Sequence, residues 1–154
     1  MTMTRHQLLS AMGQARGGWA FCRNYNKHKP GHYPKAKTAG YAAEYRRLRA
    51  AYRRGEFVPE VNERGNTILR DGEADQALKV SFRRWQGDVW SFHKAIAGWE
   101  HLPTWQDADY FGVYFDRKTR RTFTYCEGDR VLVLCQTDES FEAEIAHARE
   151  FYSN

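Results

Sequence analysis

Residues 23–37 combine cationic and aromatic side chains in close alternation. Four lysines lie in this stretch and Arg23 opens it, while tyrosine and histidine rings stand between the cations. Ammonium and guanidinium groups neutralise phosphates, and aromatic rings can stack on unpaired bases. These residue types in this order therefore indicate contact with a polyanion, with Tyr25 and Tyr33 as stacking groups.

A second group of cations lies in residues 38–54, where apolar residues recur at helical spacing and Gly55 supplies a C-terminal stop. A helix over these residues places arginines in two rows beside its apolar stripe. Together with the preceding stretch, the predicted phosphate-contacting residues are Arg23, Lys27, Lys29, Lys35, Lys37, Arg46, Arg47, Arg49, Arg53 and Arg54.

The charge of the chain is strongly polarised. Residues 1–54 hold twelve Lys or Arg against one acid, Glu44, a net charge of +11. Residues 55–154 hold twelve basic and eighteen acidic residues, a net charge of −6, so the overall +5 conceals the asymmetry. Clustered cations gain most when they neutralise closely spaced phosphates and release their counterions. The asymmetry therefore favours a nucleic-acid partner.

A metal site is one alternative interpretation of the same region. His28 and His32 have a common metal-ligand spacing, and Cys22 precedes them. A structural zinc site normally needs a fourth ligand and usually a Cys-x-x-Cys pair, which the chain lacks. We therefore predict no metal site and no cofactor.

Carboxylates near the C-terminal strands suggest a second alternative, a metal-dependent nuclease. Several of them fall at the ends of predicted strands, where turn chemistry already accounts for them. The chain also lacks a Gly-x-Ser-x-Gly elbow, a phosphate-binding Gly-rich loop and a His-Glu-x-x-His motif. We therefore predict no catalytic residue. The residues in question are Asp107, Asp109, Asp116, Glu127 and Asp129, with Lys118 and Arg121 nearby.

The length of 154 residues is most simply explained by one domain, residues 1–154. The apolar fraction of 42% is lean, so the aromatic fraction of 15% must supply much of the core. Three cysteines without close pairing favour a reducing compartment over a disulfide scaffold. No apolar run approaches the length of a membrane span. We therefore expect a soluble, cytoplasmic protein that binds no membrane.

Two helices joined by a loop are predicted in the N-terminal half. Apolar residues recur at helical spacing from Leu8 to Trp19, and Thr4 is a suitable N-cap. The glycine pair at 17 and 18 weakens this helix, because each glycine costs about 1 kcal/mol relative to alanine. Two prolines and a glycine then favour an extended loop over residues 23–37.

The rest of the chain predicts a small hairpin within 57–72, a long central helix, three strands and a closing helix that begins near Thr137. The fold class is therefore α+β: a helical N-terminal half, then a three-stranded antiparallel meander with a C-terminal helix packed on the sheet. Its predicted parts are a basic helical part at about 1–55, a central helix at about 73–97, a connection around Trp99–Trp105, and sheet plus closing helix at about 108–152.

The charge and the basic stretch together predict a small non-enzymatic protein that binds nucleic acid through its N-terminal loop and helix. A second hypothesis is a protein-binding inhibitor or modulator of a larger nucleic-acid machine, such as an anti-defence protein encoded by a phage or plasmid. A compact, aromatic-rich chain with oppositely charged parts suits electrostatic docking on such a partner. An enzyme with a carboxylate or Cys/His site is the third hypothesis.

Overall fold

The computed structural model describes residues 2–80, 90–103, 112–126 and 128–152. The chain divides into two compact units, an N-terminal unit of residues 1–59 and a C-terminal unit of residues 60–154. The described ranges contain five helices and a six-stranded antiparallel sheet, so the fold is α+β. Within those ranges, no helix is both long and apolar enough to cross a membrane. The assignment of one domain to residues 1–154 stays a prediction.

The N-terminal unit is a hairpin of two helices, α1 (Arg5–His28) and α2 (Lys35–Arg53). Thr4 caps α1 as predicted: its Oγ1 accepts a hydrogen bond from the Gln7 backbone N–H at 3.2 Å, and the Gln7 side chain accepts one from the Thr4 N–H at 2.9 Å. This reciprocal pair satisfies two of the donors that a helix start leaves unpaired. Buried small and apolar residues from both helices form the core, namely Leu8, Ala15, Leu48 and Ala51.

The predicted extended loop over residues 23–37 is wrong at both ends. Helix α1 continues through the glycine pair to His28, and α2 begins at Lys35, which leaves only residues 29–34 between them. Packing outweighs the glycine cost, because Cys22 is only 2% exposed and extends the buried stripe beyond the glycines. Gly18 itself serves the packing, since a Cβ added there would lie 2.6 Å from Tyr41 Cε1.

The C-terminal unit is built on one sheet with strand order β1-β2-β6-β5-β4-β3, every neighbouring pair antiparallel. The predicted meander is present as β4, β5 and β6, but the prediction of a three-stranded sheet is wrong. The hairpin of β1 and β2 joins the sheet through β6, and β3 pairs with β4. The strands are β1 (Glu60–Val61), β2 (Thr67–Arg70), β3 (Glu100–Pro103), β4 (Gly112–Asp116), β5 (Arg121–Cys126) and β6 (Asp129–Leu134).

The central helix predicted over 73–97 is not continuous. Helix α3 (Gly72–Leu78) ends because Lys79 adopts a left-handed conformation with φ of 56°. Helix α4 (Trp90–Ala95) follows, while residues 81–89 of the predicted helix lie outside the described residues. The predicted connection after α4 also proves partly to be β3, which forms backbone pairs with β4.

Two hydrophobic clusters cover the two faces of the sheet, because successive strand residues point to opposite sides. Helix α5 (Asp138–Tyr152) packs its Phe141 and Ile145 against Val113 and Val133, so the predicted packing of the closing helix is confirmed. Helices α3 and α4 cover the other face. The buried residues there are Ala74, Leu78, Phe92, Ile96, Phe123 and Leu132.

A carboxylate from α5 ties the β1–β2 turn to the rest of the C-terminal unit. Glu144 is 7% exposed and accepts hydrogen bonds from Arg64 Nε at 2.9 Å, Asn66 Nδ2 at 2.8 Å and Asn62 Nδ2 at 3.1 Å. Burial alone would raise the pKa of Glu144, but these hydrogen bonds outweigh it and hold that pKa below its ordinary value. The ionised carboxylate therefore stabilises the folded unit.

The Glu144→Gln variant removes the charge and keeps the side-chain volume. At neutral pH we expect the free energy of unfolding to fall by about 1–3 kcal/mol, because Arg64 loses its partner. A lowered folded pKa means that this contribution is present above the unfolded pKa of about 4.3 and lost as pH falls through the folded value. Urea unfolding should therefore show the two proteins converging at acid pH.

The control for this variant is Glu139→Gln, which removes an exposed carboxylate near the start of the same helix. Its effect should stay below about 1 kcal/mol, the size of an interaction with the helix dipole. An equal loss in both variants would show that Glu144 contributes only through general charge.

The glycine pair of α1 offers a direct test of why the helix continues. Gly17→Ala meets no atom within 4 Å, so it should raise the free energy of unfolding by about 0.5–1 kcal/mol. Gly18→Ala gains the same helix propensity but forces the Tyr41 ring aside. The free energy of unfolding of Gly18→Ala should therefore be at least about 1 kcal/mol lower than that of Gly17→Ala. Urea unfolding followed by far-UV circular dichroism measures both, and equal stabilities would contradict the close approach of α2 at Gly18.

Candidate nucleic-acid interface

In both helices of the N-terminal unit, cations directly follow residues that pack against the other helix. One step along an α-helix turns by about 100°, so each such cation lies beside the buried stripe instead of opposite to it. The cations are therefore carried along the rim of the helix–helix contact. The consecutive pairs are Ala15-Arg16 and Cys22-Arg23 in α1, and Tyr45-Arg46, Leu48-Arg49 and Tyr52-Arg53 in α2.

The two helices run antiparallel, which brings both rows of cations to the same side. At the end of the hairpin away from the turn, Arg5 of α1 donates a hydrogen bond to Tyr52 Oη of α2 at 2.9 Å. Near the middle of the hairpin, Gly18 of α1 lies against Tyr41 of α2. An equal forward rotation on two antiparallel right-handed helices leads to one common side of the pair. Arg5 and Lys27 share this side because they lie about five turns before and about one turn after Arg23 on α1, and Lys35 shares it because it lies about three turns before Arg46 on α2. We call this side the basic face, and it comprises Arg5, Arg16, Arg23, Lys27, Lys35, Arg46, Arg49 and Arg53.

The two carboxylates of residues 2–59 are bound by arginines outside the basic face. Glu44 accepts from Arg47 Nε at 2.9 Å and Arg47 Nη2 at 2.7 Å, and Glu56 accepts from Arg54 Nε at 2.5 Å. These hydrogen bonds lower the pKa of Glu44 and of Glu56. Both acids of this unit therefore pair with arginines that lie outside the basic face.

Seven cations of the basic face are exposed and form no ion pair with any carboxylate of residues 2–59. Arg23 lies over the Trp19 ring, with its Cζ 5.9 Å from the ring centroid. These seven residues are Arg16, Arg23, Lys27, Lys35, Arg46, Arg49 and Arg53.

The turn between the helices carries a separate group, on the flank opposite to the basic face. Phe21 precedes the buried Cys22 as Arg23 follows it, so the ring and the guanidinium point to opposite flanks of α1. Four rings meet there, with centroids 4.7 to 6.0 Å apart in successive contacts, and two lysine ammonium groups lie beside them. We call this group the aromatic tip: Phe21, Tyr25, Lys29, His32, Tyr33 and Lys37.

The predicted site residues therefore divide into three sets. Six of them lie on the basic face, namely Arg23, Lys27, Lys35, Arg46, Arg49 and Arg53. Four belong to the aromatic tip, namely Tyr25, Lys29, Tyr33 and Lys37. The remaining two, Arg47 and Arg54, bind Glu44 and Glu56.

Four residues at these two surfaces were not in the predicted site. Arg5 and Arg16 lie on the first helix, which the charge pattern of residues 23–54 does not include, and Phe21 lies beyond the glycine pair that weakens that helix. His32 lies in the predicted loop among the candidate stacking rings, but outside the predicted site. A usable signal exists in the sequence. Arg16 and Arg23 each follow an apolar residue of the buried stripe by one position, and they are seven residues apart.

The residues of the alternative sites are placed less favourably for chemistry. The Cys22 thiol is buried in the helical hairpin, and burial raises the pKa of Cys135 to about 11, which makes that thiol a poor nucleophile. Asp116 serves its own turn, accepting from Thr119 Oγ1 and the Lys118 N–H. Across the described ranges, no three His, Cys, Asp or Glu side chains converge as metal ligands do. Asp107, Asp109 and Glu127 lie outside those ranges.

Comparison with models of known protein families, with curated proteins and with solved structures gives no match to this chain. Function must therefore be inferred from the residues themselves.

Asn26 positions the aromatic tip. Its Nδ2 donates to the Tyr33 carbonyl at 3.0 Å, and its Oδ1 accepts from the Tyr33 N–H at 2.9 Å. We expect Asn26→Ala to lower the free energy of unfolding by about 1–2 kcal/mol and to speed hydrogen exchange at the Tyr33 amide at least about tenfold. Exchange measured by NMR tests this. Asn24→Ala, two positions away and exposed, should leave it unchanged, and unaltered protection in Asn26→Ala would contradict the assignment.

Proposed function

We propose that this chain is a nucleic-acid-binding protein whose basic face contacts the phosphate backbone. The observation that carries the proposal is the segregation of charge within residues 2–59. Eight cations share one side of the helical hairpin, while both acids are bound to arginines elsewhere. A surface with this imbalance attracts a polyanion and gains free energy by releasing its counterions.

The dimensions of the basic face suit an extended polyanion. Arg5 and Lys27 are 22 residues apart on α1, which corresponds to about 33 Å along the helix axis. On α2, Arg46, Arg49 and Arg53 follow at intervals of one turn, or about 5 Å. Two such rows can meet several phosphates at once, because duplex DNA carries one charge per about 1.7 Å of its axis.

The energetics of α2 point the same way. Arg46 and Arg49, and Arg49 and Arg53, are three and four residues apart, so their charges are neighbours on the helix surface. Like charges at these spacings destabilise a helix by about 0.2–0.5 kcal/mol per pair. Glu44 is bound to Arg47 instead of relieving them. A bound phosphate backbone would remove this repulsion.

Contacts of this kind position a ligand but do not specify a base sequence. The proposal therefore predicts binding that weakens steeply with salt and depends little on sequence. The protein-docking hypothesis would place an acidic partner protein on the same face, and it predicts that this partner stays bound after nuclease treatment.

Two charge-matched double variants test the proposal. Arg46→Gln with Arg49→Gln removes two cations from the basic face, whereas Arg47→Gln with Arg54→Gln removes two that bind Glu44 and Glu56. Using fluorescence anisotropy on a duplex of about 20 base pairs, we expect the first pair to weaken binding about tenfold at low salt. The slope of log K against log salt should fall by about 2.

The second pair should change affinity less than about threefold, although the change in net charge is identical. Equal losses from the two pairs would mean that net charge, and not the basic face, governs binding. If the unaltered chain shows no affinity for duplex or single strand even at low salt, the proposed function is wrong.

A further inference from the structure

The aromatic tip exposes an apolar ring that the hairpin fold does not require. Phe21 is 58% exposed, although its ring contacts Tyr25 at 6.0 Å and Tyr33 at 5.9 Å between centroids. Its neighbour Cys22, which is 2% exposed, takes the buried position of the same turn. A large exposed aromatic ring in a strongly basic region is typical of a stacking surface.

The rings are held in place before any ligand binds. Tyr33 is fixed by the two hydrogen bonds to Asn26, and His32 packs edge-on against it with centroids 4.7 Å apart. Tyr25 lies between them, 5.5 Å from Tyr33 and 4.7 Å from His32. A ligand that stacks on this cluster therefore loses little free energy to side-chain ordering.

Cations stand beside the same rings. Lys29 Nζ lies 5.8 Å from the Tyr25 centroid, and Lys37 Nζ lies 5.1 Å from the Tyr33 centroid. Neither lysine forms an ion pair with a carboxylate of residues 2–59. The tip thus presents aromatic rings and ammonium groups within 5.8 Å of each other. This arrangement suits a ligand that carries a planar base and a phosphate together.

We propose that the aromatic tip binds unpaired nucleotides, so that the chain prefers single strands and loops to continuous duplex. In a duplex the faces of the bases are covered by their neighbours, and only an unpaired base can stack on a protein ring. The inference rests on the proposed function, because a backbone held along the basic face brings a strand to the turn. At the turn, Lys27 and Lys35 lie on the flank of the basic face and Lys29 and Lys37 belong to the tip.

The test compares three labelled ligands of about 20 nucleotides: a thymidine single strand, a duplex, and a single strand that is abasic at every nucleotide. The abasic strand keeps every phosphate and removes the bases. We expect Phe21→Ala to weaken binding of the thymidine strand about 5- to 100-fold, the effect of losing one base–ring stack. Binding of the duplex and of the abasic strand should change less than about twofold.

Two further variants separate stacking from folding. Phe21→Trp keeps an aromatic face and should restore thymidine-strand binding, whereas Val58→Ala, which trims another exposed apolar residue of the same unit, should have no effect. The salt dependence should be the same in Phe21→Ala as in the unaltered chain, because the ring releases no counterions.

The outcomes distinguish this inference from the proposed function. If Phe21→Ala leaves all three affinities unchanged, or lowers all three alike, the proposed role of the aromatic tip is wrong. The response to Arg46→Gln with Arg49→Gln would still test whether the basic face binds nucleic acid. If no ligand binds the unaltered chain, both proposals fail.

Discussion

The contact between α1 and α2 determines what the N-terminal unit can bind. Small residues at this contact, among them Ala15, Gly18 and Ala51, let the two helices approach closely, and Gly18 in particular faces the Tyr41 ring. This contact sets the rotation of each helix about its own axis. Because the cations follow the buried residues by one position, that rotation places them along one rim of the contact. A buried stripe shifted by one residue would carry the same arginines into the core or disperse them.

The distribution of the carboxylates is a second consequence of helix rotation. Glu44 reaches Arg47 one turn along α2, on the side away from the basic face, and Glu56 reaches Arg54 just beyond the end of the helix. Exposed pairs of this kind contribute little to stability, because water screens them. Their main effect is on the electrostatic potential of the surface, because they neutralise arginines that lie outside the basic face. Repulsion among Arg46, Arg49 and Arg53 remains and destabilises α2 locally. Natural proteins keep such unfavourable features mainly at functional sites.

Sequence reasoning succeeded where periodicity is long and failed where packing or pairing decides. The Thr4 cap, helix α5 and the strands β4, β5 and β6 follow from residue patterns of five or more positions. The continuation of α1 beyond its glycines depends on packing that propensity does not contain. Strand β1 has two residues and strand β3 has four, too short to show alternation, so their places in the sheet become visible only through their partners. The division of the cations into two surfaces likewise needed the true end of α1.

The two surfaces of the hairpin would make different contributions to binding. Phosphate contacts along the basic face supply affinity that falls with salt concentration and depends little on nucleotide sequence. Ring contacts at the aromatic tip supply a smaller term that is insensitive to salt and absent for paired bases. Because the surfaces lie on opposite flanks, one strand can engage both only by passing around the turn of residues 29–34. A rigid duplex cannot follow so sharp a path, since its persistence length is about 150 base pairs. Selectivity for flexible, unpaired nucleic acid would therefore arise from the placement of the two surfaces as well as from the rings.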